Sequence, residues 1–300
     1  MDVRAEQILD ELFKYDENLP LEAVERQSTT GAEKPRRGES RQYHVTFASV
    51  HDQRVPALLT LPSNATPPFP AILFLHGVLG NKDSPNQRKR SAFLASAGYA
   101  TLRIDGQYRG EREVRFRGGV GLQTEYYYRN RDAMIQTAID LMRGVDYLAS
   151  RDDIDLEKVG FAGFSMGGAV GTLFCAHDPR VRAVVLAITG GNFGKFRKAA
   201  GDKRTEERIR RAYRIVDPVL YVSRISPRPL LMLNAARDEI VPRAATEALF
   251  EAAREPKRII WYDCGHAELP DENLNEMGKF FDAELRGRCI SSGKESERVN

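Results

Sequence analysis

The chain has 300 residues, of which 42% are hydrophobic and 29% are charged, as is typical of a globular protein with a large core. Its 45 basic residues nearly balance its 42 acidic ones, and the net charge of +3 argues against a nucleic-acid-binding protein. Three cysteines at irregular spacing argue against a disulfide framework and favour a reducing compartment.

The first residues give no sign of a targeting or membrane segment. The stretch MDVRAEQILDELFKY carries charges every few residues, so we expect no secretory signal. Runs of 18 apolar residues are absent from the sequence, so we expect no transmembrane helix. These observations predict a cytoplasmic protein that does not contact a membrane.

The first 62 residues predict one helix and a hairpin. Residues 3–16 have an amphipathic pattern, and together with a polar linker they make up an N-terminal segment, 1–40. Residues 42–49 and 54–62 are strand-like and flank a short turn, which predicts antiparallel strands at the edge of a sheet.

From residue 69 onward, apolar strands alternate with helical segments. The strand-like runs are PAILFL, YATLRID, KVGFAG, VRAVVLAI, PLLMLN and RIIWYD. Continuous apolar runs are typical of strands buried on both faces of a parallel sheet. The alternation predicts an α/β fold, with a mostly parallel central sheet covered by helices on both faces in a single domain over residues 1–300.

Two segments depart from this alternation. Residues 190–226 break the rhythm with GGNFGKF and a charged helical piece, which predicts a small cap together with the long loop 106–130. The polar tail, residues 287–300, is predicted to be disordered.

A serine boxed by glycines stands where the strand KVGFAG must become a helix. One interpretation of GFSMGG is a tight turn that happens to contain a serine, and chance gives a G-x-S-x-G in roughly one such chain in ten. The place between a strand and a helix favours a nucleophile, Ser165, held in a strained turn. Glycine suits positions 163 and 167 because side chains there would collide.

Polar residues also follow other strands of the predicted sheet, and such loops meet at one edge. Serine needs a base within hydrogen-bond reach, and histidine can take a proton and return it. A carboxylate behind the histidine orients its ring. We therefore predict Ser165 as nucleophile, His266 as base and Asp238 as acid, with Asp217 as the alternative acid.

The tetrahedral intermediate of such a reaction needs preorganised N–H donors. The backbone N–H of Met166, at the start of the helix after the serine, and that of Val78, after His76-Gly77, are the predicted donors. His76 is expected to brace its loop, and His177 to lie at the surface or cap a helix.

Cysteine–histidine pairs could be interpreted as metal ligands. Cys264 with His266 and Cys175 with His177 supply too few ligands for a structural zinc site, so no metal is predicted.

The motifs HGVLG (76–80), GFSMGG (163–168), RDEIVP (237–242) and CGH (264–266) resemble those of the α/β-hydrolase family over about residues 40–285. The stretch IDGQYRGERE is similar to the dienelactone-hydrolase-like and acetyl-esterase-like branches. The resemblance implies the α/β-hydrolase fold and neither a metal nor an organic cofactor. Dienelactone hydrolases proper carry a cysteine nucleophile, so serine at 165 favours ordinary ester hydrolysis.

Several further residues are candidates for the substrate pocket. Arg109, in the Arg-rich loop 109–117, is a candidate for contacting an anionic or sugar-like substrate, although ion pairs with Glu111 or Glu113 would explain the loop as well. The apolar and aromatic candidates are Leu79, Tyr127, Phe193 and Phe196. Packing under the long loop is the alternative for Tyr127.

Together these features predict a serine carboxylesterase that cleaves small ester substrates with acetyl to butyryl groups through an acyl-enzyme on Ser165. A serine peptidase of the oligopeptidase type, an acyltransferase and a catalytically silent hydrolase-like binding protein are the alternatives. The sequence leaves the oligomeric state open between a monomer and a homodimer.

Overall fold

A central β-sheet organises the computed structural model, which describes residues 3–28, 40–116, 119–120, 126–196 and 203–287. The strands are β1 (Val24–Gln27), β2 (Arg41–Ala48), β3 (Arg54–Leu61), β4 (Phe69–Leu75), β5 (Ala100–Ile104), β6 (Arg115–Phe116), β7 (Gly119–Val120), β8 (Ile154–Phe164), β9 (Ala183–Ala187), β10 (Leu230–Ala235) and β11 (Lys257–Tyr262). The helices are α1 (Val3–Asp10), α2 (Pro85–Ser96), α3 (Tyr127–Ala149), α4 (Met166–His177), α5 (Phe193–Phe196), α6 (Lys203–Tyr213), α7 (Arg243–Ala252) and α8 (Glu272–Arg286).

The sheet is mostly parallel. Within the described ranges it has nine strands in the order β1-β2-β3-β5-β4-β8-β9-β10-β11, and β6 pairs only with β7. The strands from β5 to β11 in that order are parallel to one another, whereas β1, β2 and β3 form an antiparallel edge. The α/β class and the parallel centre predicted from the apolar runs are therefore confirmed.

Hydrophobic cores lie on both faces of the sheet. Along β4, Leu73 and Leu75 belong to a core that includes residues of α3 and α4. The alternate residues Ile72 and Phe74 belong to a second core, which includes residues of α2 and α8. Alternate side chains of a strand point to opposite faces, so a strand buried on both faces must be apolar throughout.

The N-terminal part contains an element that the sequence analysis missed. β1 lies inside the predicted helix-and-linker segment 1–40 and pairs antiparallel with β2. Its four residues, VERQ, are all exposed and three are polar or charged, so no apolar pattern marks them as a strand. The predicted helix over 3–16 ends earlier, as α1 followed by a 3₁₀ turn at Glu11–Phe13.

The predicted cap, 190–226, contains α5, α6 and short 3₁₀ turns, and residues 197–202 of it lie outside the described ranges. All of the predicted tail except Gly287 also lies outside them. In the described part of the chain, no helix is both long and apolar enough to span a bilayer.

We expect Phe161→Ala to lower the free energy of unfolding by about 3–5 kcal/mol, the usual cost of deleting a buried phenylalanine ring. The Phe161 ring is fully buried on β8 and packs edge-on against Phe174 of α4, with 5.4 Å between centroids. Urea unfolding measures the change, and the half-buried Phe250→Ala should cost clearly less. Equal losses in the two variants would contradict this account of the core.

Candidate active site

Ser165 occupies a strained turn between β8 and α4. Its backbone has φ +55° and ψ −120°, a conformation that residues other than glycine rarely adopt. The turn is held by the Ser165 N–H, which donates to the carbonyl oxygen of Ala187 at 2.8 Å. The N–H of Gly168 donates in turn to the Ser165 carbonyl oxygen at 2.9 Å. The strained turn predicted from GFSMGG is present.

The glycines around the serine are required by close backbone contacts. A Cβ at Gly163 would lie 2.4 Å from the carbonyl oxygen of Gly167. A Cβ at Gly167 would lie 2.4 Å from the carbonyl oxygen of Leu75 and 2.6 Å from that of His76. These atoms belong to the main chain and cannot rotate away, so the expected collisions at 163 and 167 are confirmed.

A continuous hydrogen-bonded chain links three of the predicted residues. The Nε2 atom of His266, in the loop after β11, lies 2.9 Å from Oγ of Ser165. Its Nδ1 atom lies 2.7 Å from Oδ2 of Asp238, in the loop after β10. The side chains of His266 and Asp238 are 10% and 6% exposed, so bulk water does not compete strongly for these bonds.

The carboxylate of Asp238 is fixed on its other side by the main chain. Oδ1 accepts hydrogen bonds from the N–H groups of Ile240, at 2.9 Å, and Val241, at 2.7 Å. Burial alone would raise the pKa of Asp238, but the bonds from His266 and from these two N–H groups outweigh it and hold the pKa below its ordinary value. Asp238 is therefore an ionised, oriented acceptor for Nδ1–H of His266.

The loop after β4 passes directly beside the serine. A Cβ at Gly77 would lie 3.4 Å from Cβ of Ser165, and Val78 lines the cavity next to it. Met166 is the first residue of α4, where helical N–H groups have no intrahelical partner. The structure thus brings both predicted donor residues, Val78 and Met166, to the cavity that Ser165 also lines.

His76 braces this loop, as expected. The N–H of Gly106 donates to Nε2 of His76 at 3.1 Å, which leaves Nδ1 as the protonated atom that donates to the Gly77 carbonyl oxygen at 2.8 Å. Burial lowers the pKa of His76, which keeps the ring neutral.

A buried carboxylate ties the same loop to the Arg-rich segment. Asp105, fully buried, accepts from the backbone N–H of Lys82 at 2.8 Å and from its Nζ at 2.6 Å. It also accepts from the N–H of Glu111 at 3.0 Å. Gly110 has φ +56°, and a Cβ there would lie 2.3 Å from the Asp105 carboxylate, so only glycine fits. We refer to Lys82, Asp105, Gly110 and Glu111 as the Asp105 clamp.

The arginines after β5 are engaged with the protein itself. Arg109 donates from Nε to the Gly80 carbonyl oxygen at 3.1 Å, and Arg112 forms an ion pair with the buried Asp140 at 2.5 Å. Arg109 does not line the cavity beside Ser165, so the structure does not place it at the predicted substrate contact. The side chains of Arg115 and Arg117 lie outside the described part of the chain.

An apolar cavity of about 130 Å³ opens beside Ser165. The lining residues are Val78, Ser165, Met166, Ala169, Thr189, Gly190, Gly191, Phe193, Ile240, Val241, Pro242 and Ala245. Of the predicted pocket residues Phe193 is among them, whereas Leu79 and Tyr127 are not. Leu79 is an exposed side chain, and Tyr127 packs edge-on against Tyr213, which matches the alternative of packing. Phe196 ends α5, and its side chain is outside the described residues.

Sequence reasoning missed most of this lining. Ile240, Val241 and Pro242 follow Asp238 in the motif RDEIVP, and Ala245 is in the first turn of α7. An apolar run directly after the predicted acid was the available signal. For residues 189–191 the sequence gave no such signal, because they line the cavity only through the path that the main chain takes after β9.

Asp217, the alternative acid, has another role. Its carboxylate accepts from the N–H groups of Asn192 at 2.7 Å, Phe193 at 2.6 Å and Val219 at 3.2 Å. Burial raises its pKa despite these three bonds. Asp217 therefore holds the segment that carries Phe193, while Asp238 is the carboxylate at His266.

The other histidines are engaged elsewhere. His44 contacts Glu111, and His51 contacts Gln136. His177 is bonded to the Leu173 carbonyl oxygen and stacks on Phe13, with 4.1 Å between the ring centroids. The described ranges contain no group of three or more His, Cys, Asp or Glu residues that could hold a metal ion.

The chain is similar in sequence to proteins of a known family. Residues 55–277 match the model of the dienelactone hydrolase family. A curated relative, "Putative hydrolase YtaP" of Bacillus subtilis (strain 168), is 25% identical over 220 residues, which cover 66% of this chain and 70% of that protein.

Two solved structures have the same fold. Acetyl xylan esterase from Paenibacillus sp. R4 has a TM-score of 0.74 at 22% identity and covers 94% of this chain and 93% of its own. Acetyl xylan esterase 1 from Thermoanaerobacterium sp. JW/SL YS485 has a TM-score of 0.72 at 18% identity and covers 92% of each chain.

We expect the Asp238 contacts to make stability depend on pH. The pKa of Asp238 is lowered in the folded chain, so its contribution is complete above the unfolded value of about 3.9 and is lost as the pH falls through the folded value. The free energy of unfolding of the wild type should therefore exceed that of Asp238→Asn near pH 6. This difference, measured by urea unfolding, should shrink toward pH 3. A difference that does not change with pH would contradict the assignment.

Proposed function

Because the chain belongs to the dienelactone hydrolase family, we propose that it is a serine carboxylesterase that cleaves short-chain acyl esters through an acyl-enzyme on Ser165. The family and the esterase neighbours indicate an esterase-type hydrolase. The observation that carries the finer proposal is the hydrogen-bonded chain from Asp238 through His266 to Ser165 at the edge of an apolar cavity.

Acylation begins with Oγ of Ser165. As Oγ attacks the ester carbonyl carbon, Nε2 of His266, 2.9 Å away, takes the hydroxyl proton. Asp238 fixes the ring so that Nδ1 carries its proton toward the carboxylate and Nε2 is free to accept one. The imidazolium that forms is stabilised by the ionised carboxylate 2.7 Å away.

The negative oxygen of the tetrahedral intermediate lies between the loop after β4 and the start of α4. The N–H groups of Val78 and Met166 are its proposed donors, and the positive end of the α4 dipole adds to their field. His76, the Asp105 clamp and Arg109 hold the Val78 loop, so these donors need little reorganisation during the reaction.

Collapse of the intermediate releases the alcohol, which takes the proton from Nε2 of His266. A water molecule then attacks the acyl-enzyme with His266 again as the base, and the carboxylic acid leaves as Ser165 recovers its proton. Each proton that is taken is returned, so the protein is unchanged after a turnover.

The cavity supports a small acyl group. Its volume is about 130 Å³. Phe193 and Ile240 stand at its wall, so a longer chain would need one of them to move. We therefore propose acetyl to butyryl chains as the acyl groups.

We expect p-nitrophenyl esters from acetate to butyrate to be hydrolysed with the highest kcat/KM, falling by about tenfold or more at octanoate because the chain outgrows the cavity. Ser165→Ala should reduce kcat on the order of 10⁴-fold or more. Assays from acetate to palmitate, together with circular dichroism of the variant, make this measurement. Activity that persists in folded Ser165→Ala would refute the mechanism.

Labelling with a fluorophosphonate separates the alternatives. Modification of Ser165 together with hydrolysis of esters but not amides supports the esterase, whereas cleavage of peptide amides as well would favour a serine peptidase. Folded protein that is neither labelled nor active on any ester would indicate a catalytically silent binding protein.

We expect Asp238→Asn to lower kcat by about 10³–10⁴-fold, because an amide favours the wrong ring tautomer of His266. Asp217→Asn is the matched control: it changes the other candidate carboxylate, which binds main-chain N–H groups rather than the ring. It should change kcat less than about tenfold and act mainly on KM for butyrate. A larger loss of kcat in Asp217→Asn than in Asp238→Asn would reverse the assignment.

A further inference from the structure

A second, smaller cavity of about 90 Å³ lies on the other side of His266, toward α2 and α8. Its polar lining residues are Asn86, Lys89, Arg90, His266, Asp271 and Asn273, and its apolar ones are Ile188, Ala267, Leu269 and Leu274. In contrast to the apolar cavity beside Ser165, most of these side chains are polar or charged.

Arg90 has no acidic partner in the described part of the chain. Its guanidinium stacks on the ring of Phe164, the residue before Ser165, at 3.4 Å from the ring centroid. Burial lowers the pKa of Arg90 to about 9, and no nearby carboxylate opposes that effect. By contrast, the buried Arg112 and Arg143 are paired with Asp140 and Asp146.

The carboxylate at this cavity is already engaged. Asp271 forms an ion pair with Lys89, with 2.5 Å between Nζ and Oδ1. One positive charge, that of the half-buried Arg90, therefore remains without an anion. Stacking on an aromatic ring compensates for only part of the cost of removing a guanidinium from water.

Two helix N-termini add to the positive potential. Asn86 and Lys89 lie in the first turns of α2, and Asn273 lies in the first turn of α8. The N-terminal end of a helix carries a partial positive charge and favours anions. The two helix dipoles and the Arg90 guanidinium therefore all favour an anion in this cavity.

We propose that this cavity is an anion-binding subsite in which Arg90 holds a carboxylate or phosphate group beside His266. The anion has two sources. It is either an acidic group on the alcohol part of the substrate or a free anion from solution. The first source rests on the proposed function: the leaving alcohol takes its proton from His266, so the alcohol departs on the histidine side of the serine.

The test compares Arg90→Met with Arg88→Met, which removes an exposed arginine two residues earlier on α2 that already contacts Asp83. In the first arm, sodium benzoate and sodium phosphate are titrated at constant ionic strength while Tm is measured. Binding to the folded state raises Tm by mass action. We expect a rise of at least about 3 °C in the wild type and in Arg88→Met, and none in Arg90→Met.

The second arm identifies the source of the anion. It measures kcat/KM for 4-acetoxybenzoate and for phenyl acetate, which differ in one carboxylate on the leaving phenol. If the anion belongs to the substrate, the ratio of the two values falls about tenfold in Arg90→Met, equivalent to about 1.4 kcal/mol, and stays constant in Arg88→Met. If the anion is free in solution, the ratio does not change and the Tm response alone depends on Arg90.

The proposal is overturned if Arg90→Met keeps both the wild-type Tm response and the wild-type ratio. Should Arg90→Met not fold, Arg90→Lys replaces it; loss of the planar fork should then weaken anion binding at least about threefold. If wild-type protein hydrolyses neither ester, the proposed function fails, while the Tm arm still decides whether the anion subsite exists.

Discussion

The candidate site depends on one close approach of main chain to main chain, where the first turn of α4 contacts the end of β4. The absence of a side chain at Gly167 lets the helix lie against the carbonyl oxygens of Leu75 and His76. That contact sets the sharp turn at Ser165 and brings the loop of Val78 next to its hydroxyl. Any side chain at position 167 would push the first turn of α4 away from the end of β4, and Ser165 would no longer share a cavity with Val78.

The parts of the fold that could be predicted well are those in which a local residue pattern is compatible with only one structure. Continuous apolar runs require strands buried on both faces, and β4, β8, β9 and β10 follow from them. A serine between glycines at a strand end requires a tight turn, and Ser165 adopts it. Parallel strands end at the same edge of a sheet, so the loops that carry Asp238 and His266 meet there. This edge could be predicted from the order of the strands alone, without predicting any individual contact.

The features that could not be predicted depend on tertiary contacts within the chain, which a local sequence pattern does not indicate. Arg109 was a candidate for a substrate contact, but its acceptor is the main-chain oxygen of Gly80, which every residue type would provide. Asp217 was the alternative acid, but it accepts from the main-chain N–H groups of Asn192 and Phe193, which no sequence pattern indicates. The exposed, polar strand β1 forms because β2 offers it a free edge, not because of its own composition.

The Asp105 clamp divides the long segment between β5 and α3 into two parts. The first part is anchored to buried carboxylates, and the second follows the last anchored residue. Up to Arg112 the segment is anchored: Glu111 is tied to Asp105 and Lys82, and Arg112 is paired with the buried Asp140. Beyond Arg112 the chain is past these anchors and returns at α3, whose first turns pack on α6 rather than on Ser165. Changes in sequence after Arg112 therefore leave the bonds of the Asp105 clamp in place, and with them the anchor of the loop that carries Val78.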